Sequence, residues 1–103
     1  MAKYMFMGSF TLEGARGLIK EGGTSRRDHF DENIGNLGGK VEAFYFAFGE
    51  QDFYSIVDLP NNISAGALAM GLSSSGLVKM STVVLITPEE ADSVIQKIPS
   101  IRY

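Results

Sequence analysis

His29 is the one histidine of this 103-residue chain, and Arg26, Arg27 and Asp28 run directly up to it. Imidazole titrates near neutrality, so proton transfer would be sought first at His29. Two arginines in the first turn of a helix stand beside free amides and the positive end of the helix dipole, a setting that attracts anions. At helical spacing Arg26 and Arg27 fall within roughly 60° of the apolar stripe, so they can lean over a cleft between helix and sheet and hold a carboxylate there. A plainer account exists for each. Asp28 and Asp31 can neutralise the arginines in surface ion pairs. His29 lies about 100° from Phe30, at the stripe's edge, with no proton-transfer partner in view. A half-exposed helix histidine therefore outweighs a general base.

Tyr45 and Tyr54, with Met5, Met7 and Met80, could line an apolar pocket that carries a hydroxyl handle. Packing in the core or at a subunit interface accounts for the same residues. Asp52, three residues after Gly49, could set a carboxylate at the mouth of a cavity. In the simpler account Gly49 supplies a positive φ and Asp52 bonds turn amides. Several chemistries are excluded. There is no cysteine, hence no thiolate nucleophile, and one histidine alone makes a poor transition-metal site. Gly14-Ala15-Arg16-Gly17 lacks the spacing and the Lys-Ser/Thr ending of a phosphate loop. No cofactor and no metal are expected.

Composition narrows the class further. A hydrophobic share of 45% and a charged share of 20% are ordinary for a soluble domain, and residues 1–103 fit a single one. A net charge of −3 argues against nucleic acid, whose phosphates want a basic face. No apolar run approaches the ~18–20 residues of a membrane span. The opening Met1-Ala2-Lys3-Tyr4-Met5-Phe6-Met7 enters a strand pattern at once and makes a poor signal peptide. A cytoplasmic protein is the expectation.

The elements that must position these residues are organised around two apolar runs, 40–48 and 53–59, hinged at Gly49-Glu50-Gln51-Asp52, a β-hairpin pattern. Before it, residues 3–10 read as a central strand, apolar on both sides. Thr11 caps a segment over 12–20 whose two glycines predict one or two loose turns in place of a firm helix. After Gly22-Gly23, Thr24 or Ser25 caps a helix to about Leu37, with Phe30, Ile34 and Leu37 buried and Gly38-Gly39 closing it. Beyond the hairpin, Asn61 or Asn62 caps a helix over 63–72, with Ala67, Met70 and Gly71 packing on the sheet. Residues 77–87 form a last strand. Thr87, Pro88 and Glu90 then start a helix that Pro99 stops.

The order is β-α-β twice, plus a terminal helix. It predicts an α+β ferredoxin-like sandwich, with a four-stranded antiparallel sheet and its helices on one face. The other face should alternate to polar residues, yet both sides of all four strands are mostly apolar. Soluble monomers rarely expose so large a patch. The expectation is a homodimer packed sheet to sheet, or a higher oligomer built from it.

Short motifs add a resemblance. Ser9-Phe10-Thr11 with Gly14, Gly38-Gly39-Lys40, the hairpin corner, and Val57-Asp58-Leu59-Pro60 before an Ala-rich helix resemble the GYD-domain proteins over essentially the whole chain. The resemblance implies a ferredoxin-like, dimeric α/β-barrel type and no particular reaction. One position departs from the family pattern: its corner reads Gly-x-Tyr-Asp, and Gln51 replaces the tyrosine while Gly49 and Asp52 match. Any chemistry of that tyrosine is absent here.

Two functions follow. One is a dimeric module that binds a small apolar or weakly acidic metabolite between sheet and helices. The other is a cofactor-independent monooxygenase- or isomerase-like enzyme for a small aromatic substrate, which rests on fold analogy alone. A purely structural assembly role is a third possibility. The titratable candidates, His29, Asp52 and the tyrosines, are scattered over different elements, and this favours binding.

Overall fold

Two strands that alternate buried and half-buried residues set the arrangement. In the computed structural model, which describes residues 1–102, β1 (Ala2–Phe10) and β3 (Phe53–Leu59) form the centre of a four-stranded sheet of order β2-β3-β1-β4. The edges are β2 (Lys40–Phe46) and β4 (Val78–Leu85), and every pairing is antiparallel. Helices α1 (Leu12–Glu21) and α2 (Gly23–Asn36) connect β1 to β2, α3 (Asn62–Ser74) connects β3 to β4, and α4 (Pro88–Gln96) follows. This is the expected α+β ferredoxin-like fold, with two helices where the simplest version has one.

The core lies on one face of the sheet. Tyr4 and Phe6 of β1 and Phe53, Val57 and Leu59 of β3 are buried there against Phe30 and Ile34 of α2 and Ala65 and Leu68 of α3. Burying each large side chain contributes about 1.5–3 kcal/mol, so this cluster dominates stability. Its polar atoms are answered locally. The Tyr4 hydroxyl donates to Asn62 Oδ1 at 2.6 Å, and the buried Ser55 hydroxyl donates to the Ala43 carbonyl at 2.7 Å.

Strict alternation would place Val41 on the same face as Ala43 and Tyr45. A β-bulge between Val41 and Ala43 changes this: Val41 pairs with Val57 on the core face, and Ala43 with Ile56 on the opposite one. The extra residue is Glu42, the single polar exception in that run.

Three helical segments differ from expectation. Residues 12–21 form a regular ten-residue helix, capped by Thr11, whose hydroxyl accepts from the Gly14 amide at 3.1 Å. Its glycines are there for contact. A Cβ at Gly14 would collide with the Leu77 carbonyl, and one at Gly17 with the Arg26 guanidinium. At Gly14 the helix-propensity cost of about 1 kcal/mol is therefore offset by packing. Helix α2 begins at Gly23 without a side-chain cap, because Gly22 (φ 92°) turns the chain there; neither Thr24 nor Ser25 caps it. In α3 the buried residues are Ala65 and Leu68, whereas Ala67, Met70 and Gly71 face outward. An Ala- and Gly-rich helix carries no periodicity from which to choose its buried side.

Among the described residues no helix lies over the opposite face of the sheet. Tyr45 pairs across the strands with Tyr54, Tyr54 with Met7, Ile56 with Met5, and Met5 with Val83. Tyr45, Tyr54 and Val83 are exposed, and Lys3 closes one end of the patch between Asp58 (3.0 Å) and Glu42 (3.2 Å). Helix α4 starts in a full capping box between Thr87 and Glu90. It leaves Val94, Ile95 and Ile98 more than half exposed.

Candidate functional site

Helix α2 repeats polar and aromatic residues at helical spacing: Arg26, His29, Phe30 and Asn33 lie at i, i+3, i+4 and i+7 and so share one face. That face looks onto the sheet where Phe10, Phe44, Phe46 and Phe53 converge from three strands. Between them is a cavity of about 210 Å³, closed on the far side by Leu72, Ser75, Leu77 and Val78.

The walls are aromatic. Phe44 and Phe53 stack with centroids 5.4 Å apart and planes 8° from parallel. Phe10 stacks on Phe53 at 5.9 Å, Phe46 meets Phe44 edge-on at 5.2 Å, and Phe30 tilts against Phe44 at 5.2 Å. Offset and edge-to-face packing of this kind fixes each ring and presents both faces and edges to the space they enclose. Gly8 contributes by omission: a Cβ there would stand 2.7 Å from Val78 Cγ2 and 2.8 Å from Phe53 Cε1, both in cavity walls.

Arg26 is the charged group at the rim. Its Nε donates to Glu21 Oε2 at 3.0 Å, and its guanidinium rests on Gly17 of α1. The side chain is only 20% exposed. His29 sits exposed on the same rim, one turn further along. Arg27 turns away. It is exposed and paired with Asp28 at 3.2 Å, over a separate shallow groove shared with Asp31 and residues 41–45.

The remaining sequence candidates lie elsewhere. Tyr45 and Tyr54 form a cross-strand pair on the uncovered face, with Met5 and Met7, while Met80 packs against the core on the other side. The sheet thus separates the tyrosines from the cavity. Asp52 accepts from the Phe10 amide through Oδ2 at 2.7 Å, and its own amide donates to the Gly8 carbonyl at 2.7 Å. Its carboxylate splices the hairpin loop to the end of β1 and bonds no turn amide. Gly49 is not among the positive-φ glycines, which are Gly22, Gly38 and Gly76, so the expectation for its backbone does not hold. Gln51, in the family's tyrosine position, accepts a long 3.4 Å bond from the Ser9 hydroxyl.

The structure therefore unites Arg26 and His29 and separates them from Arg27, Tyr45, Asp52 and Tyr54. It adds Asn33, Ser75 and the five phenylalanines. Asn33 was signalled by its spacing from Arg26; the convergence of rings from β1, β2, β3 and α2 depends on sheet order. Among the described residues no three His, Asp or Glu side chains cluster as a metal site would require. No helix there is long and apolar enough to cross a membrane.

The family model described as GYD domain matches residues 4–95, from β1 into α4. Neither the curated proteins nor the solved structures gave a significant match.

Proposed function

This chain belongs to the GYD-domain family, and from that premise we propose that it is a homodimeric cytoplasmic protein that binds a small apolar or weakly acidic metabolite in the cavity between α2, α3 and the sheet. The observation that carries the reading is one cavity walled by five phenylalanine rings with a seated arginine at its rim. Ligand sites are concave and mostly apolar, with a few polar groups that set orientation, and this cavity has that composition.

The dimer is supported by the opposite face. Met5, Met7, Tyr45, Tyr54, Ile56 and Val83 form a contiguous apolar surface of the kind that monomers seldom leave in water. A second copy laid sheet to sheet covers it, and α4 offers a further apolar stripe beyond the edge.

A second reading, a cofactor-independent monooxygenase- or isomerase-like enzyme for a small aromatic substrate, draws on His29 at the same rim. It needs an acid–base partner for His29, and among the described residues the cavity lining contains no carboxylate.

Native mass spectrometry of the purified protein tests the proposal. The expected spectrum is a dimer that carries a small molecule released on denaturation. A monomer at micromolar concentration overturns the dimer. Absence of any bound or addable small ring compound overturns the binding role.

A further inference from the structure

We infer that the cavity is built for a single-ring aromatic monocarboxylate, its ring among the phenylalanines and its carboxylate on Arg26. The inference rests on the binding role proposed above and names its ligand class.

Size sets the first limit. A cavity of about 210 Å³ is somewhat larger than the roughly 150 Å³ apolar space known to hold benzene. One ring with a short substituent fits this volume. The walls set the second. Phe44, Phe53 and Phe30 offer both ring faces and ring edges, which suit a flat aromatic guest better than a branched aliphatic one.

Charge sets the third. Three polar side chains of the lining can donate a hydrogen bond to a guest, the Arg26 guanidinium, the His29 N–H and the Asn33 amide, while the Ser75 hydroxyl already donates to the Leu72 carbonyl at 2.6 Å. Arg26 is paired with Glu21 from outside the cavity, and among the described residues no carboxylate lines the cavity itself. Such a rim suits a guest group that only accepts, and a carboxylate meets an arginine edge with two parallel bonds.

Gly17 supplies an independent argument. Glycine is a poor residue for the interior of α1, and at this position the only thing an added Cβ would meet is the Arg26 guanidinium. The small residue gives that guanidinium a seat, while Glu21 holds its Nε and leaves the Nη protons for a guest. A cation fixed before the ligand arrives loses less entropy on binding than a free one.

The test is a titration followed by amide and aromatic NMR shifts, with benzoate, benzyl alcohol and cyclohexanecarboxylate as probes. It uses the full chain and two variants, Arg26→Gln and Gly17→Ala. Benzoate is expected to shift the Phe10, Phe30 and Phe53 signals and to bind more tightly than either other probe. Arg26→Gln should weaken benzoate about tenfold or more and leave benzyl alcohol unchanged. Gly17→Ala, which keeps the arginine but removes its seat, should weaken benzoate in the same direction, and it stands in if Arg26→Gln does not fold. If benzyl alcohol binds as well as benzoate, or Arg26→Gln and Gly17→Ala leave benzoate affinity intact, the acid class is wrong and the apolar pocket survives. If cyclohexanecarboxylate matches benzoate, the aromatic part is wrong. If no probe moves the phenylalanine signals, both the ligand class and the cavity's binding role fall.

Discussion

The two faces of one sheet share their strands but use different aromatic residues. The helix-covered face carries Phe6, Phe10, Phe44 and Phe53, with Phe46 exposed at its edge, and its one tyrosine, Tyr4, finds Asn62 for its hydroxyl. The bare face carries Tyr45 and Tyr54 with methionines beside them. Phenylalanine suits a dry interior because it leaves no donor unpaired there, whereas tyrosine needs a partner or an open side. Methionine adapts to whatever shape is laid against it, which suits a surface that meets a second body. The covered face thus encloses a cavity, and the bare face leaves Tyr45 and Tyr54 exposed.

Neighbouring residues give the sharpest way to break that comparison. Phe53 is buried and packs against Phe10, Phe30 and Phe44; Tyr54, next in the chain, is exposed on the other side. Phe53→Ala is expected to cost about 3–5 kcal/mol in urea unfolding. Tyr54→Ala should cost under about 1 kcal/mol when subunits are dissociated, its effect appearing in the association constant. Equal losses for the two in a dissociated chain would mean that the faces do not differ as described.

The glycines of α1 allow a second contrast. Gly14→Ala drives a Cβ into the Leu77 carbonyl, which is backbone and cannot swing aside. A loss of at least about 2 kcal/mol is expected, or on the order of 10 °C in Tm. Gly17→Ala meets only the end of a flexible side chain, so the helix-propensity gain of about 1 kcal/mol should largely survive. Thermal melts of the two variants should therefore move in opposite directions. A fall for both would mean that Arg26 is held more rigidly than Glu21 and a side-chain seat can account for.

Next in size is a charge on the bare face. Met5 lies between Ile56 and Val83 at the middle of the sheet. Met5→Lys is expected to leave the circular dichroism spectrum intact and to shift sedimentation from dimer to monomer, because a desolvated unpaired charge in an interface costs several kcal/mol. A variant that stays dimeric would move the interface away from the sheet, with α4 the next surface to examine.

How much of this could be read in advance follows from the range of the forces involved. The strands and their places along the chain follow from local apolar runs and turn residues, and the caps at Thr11, Asn61 and Thr87 are signalled within four residues. The glycines of α1 misled because propensity is counted along the helix, while Leu77 and Arg26 approach from elsewhere in the chain. Strict alternation through the run 40–48 puts Val41 on the wrong face, because it takes no account of the bulge at Glu42. At the site, Arg26 and His29 were legible from helical spacing. Tyr45 and Tyr54 are also aromatic and near in sequence to Phe44 and Phe53, and only the pleat sends them to the other face.

The smallest expected effect probes the border of the bare patch. Lys3 lies between Asp58 and Glu42, and these bonds, Asp58's first, raise its pKa above the ordinary 10.5. A lysine raised on folding stabilises fully below its unfolded value, and the contribution fades as pH rises through the higher folded one. The gap in urea midpoint between the parent and Lys3→Met should therefore be constant from neutrality to about pH 10 and close at higher pH. Lys3 keeps about a third of its side chain in solvent and its bond to Glu42 is exposed, so the gap is small and shrinks with salt. A gap that persists beyond the lysine's titration would locate its contribution in the stem packed along the sheet edge, and the apolar patch would then extend past the charge that bounds it.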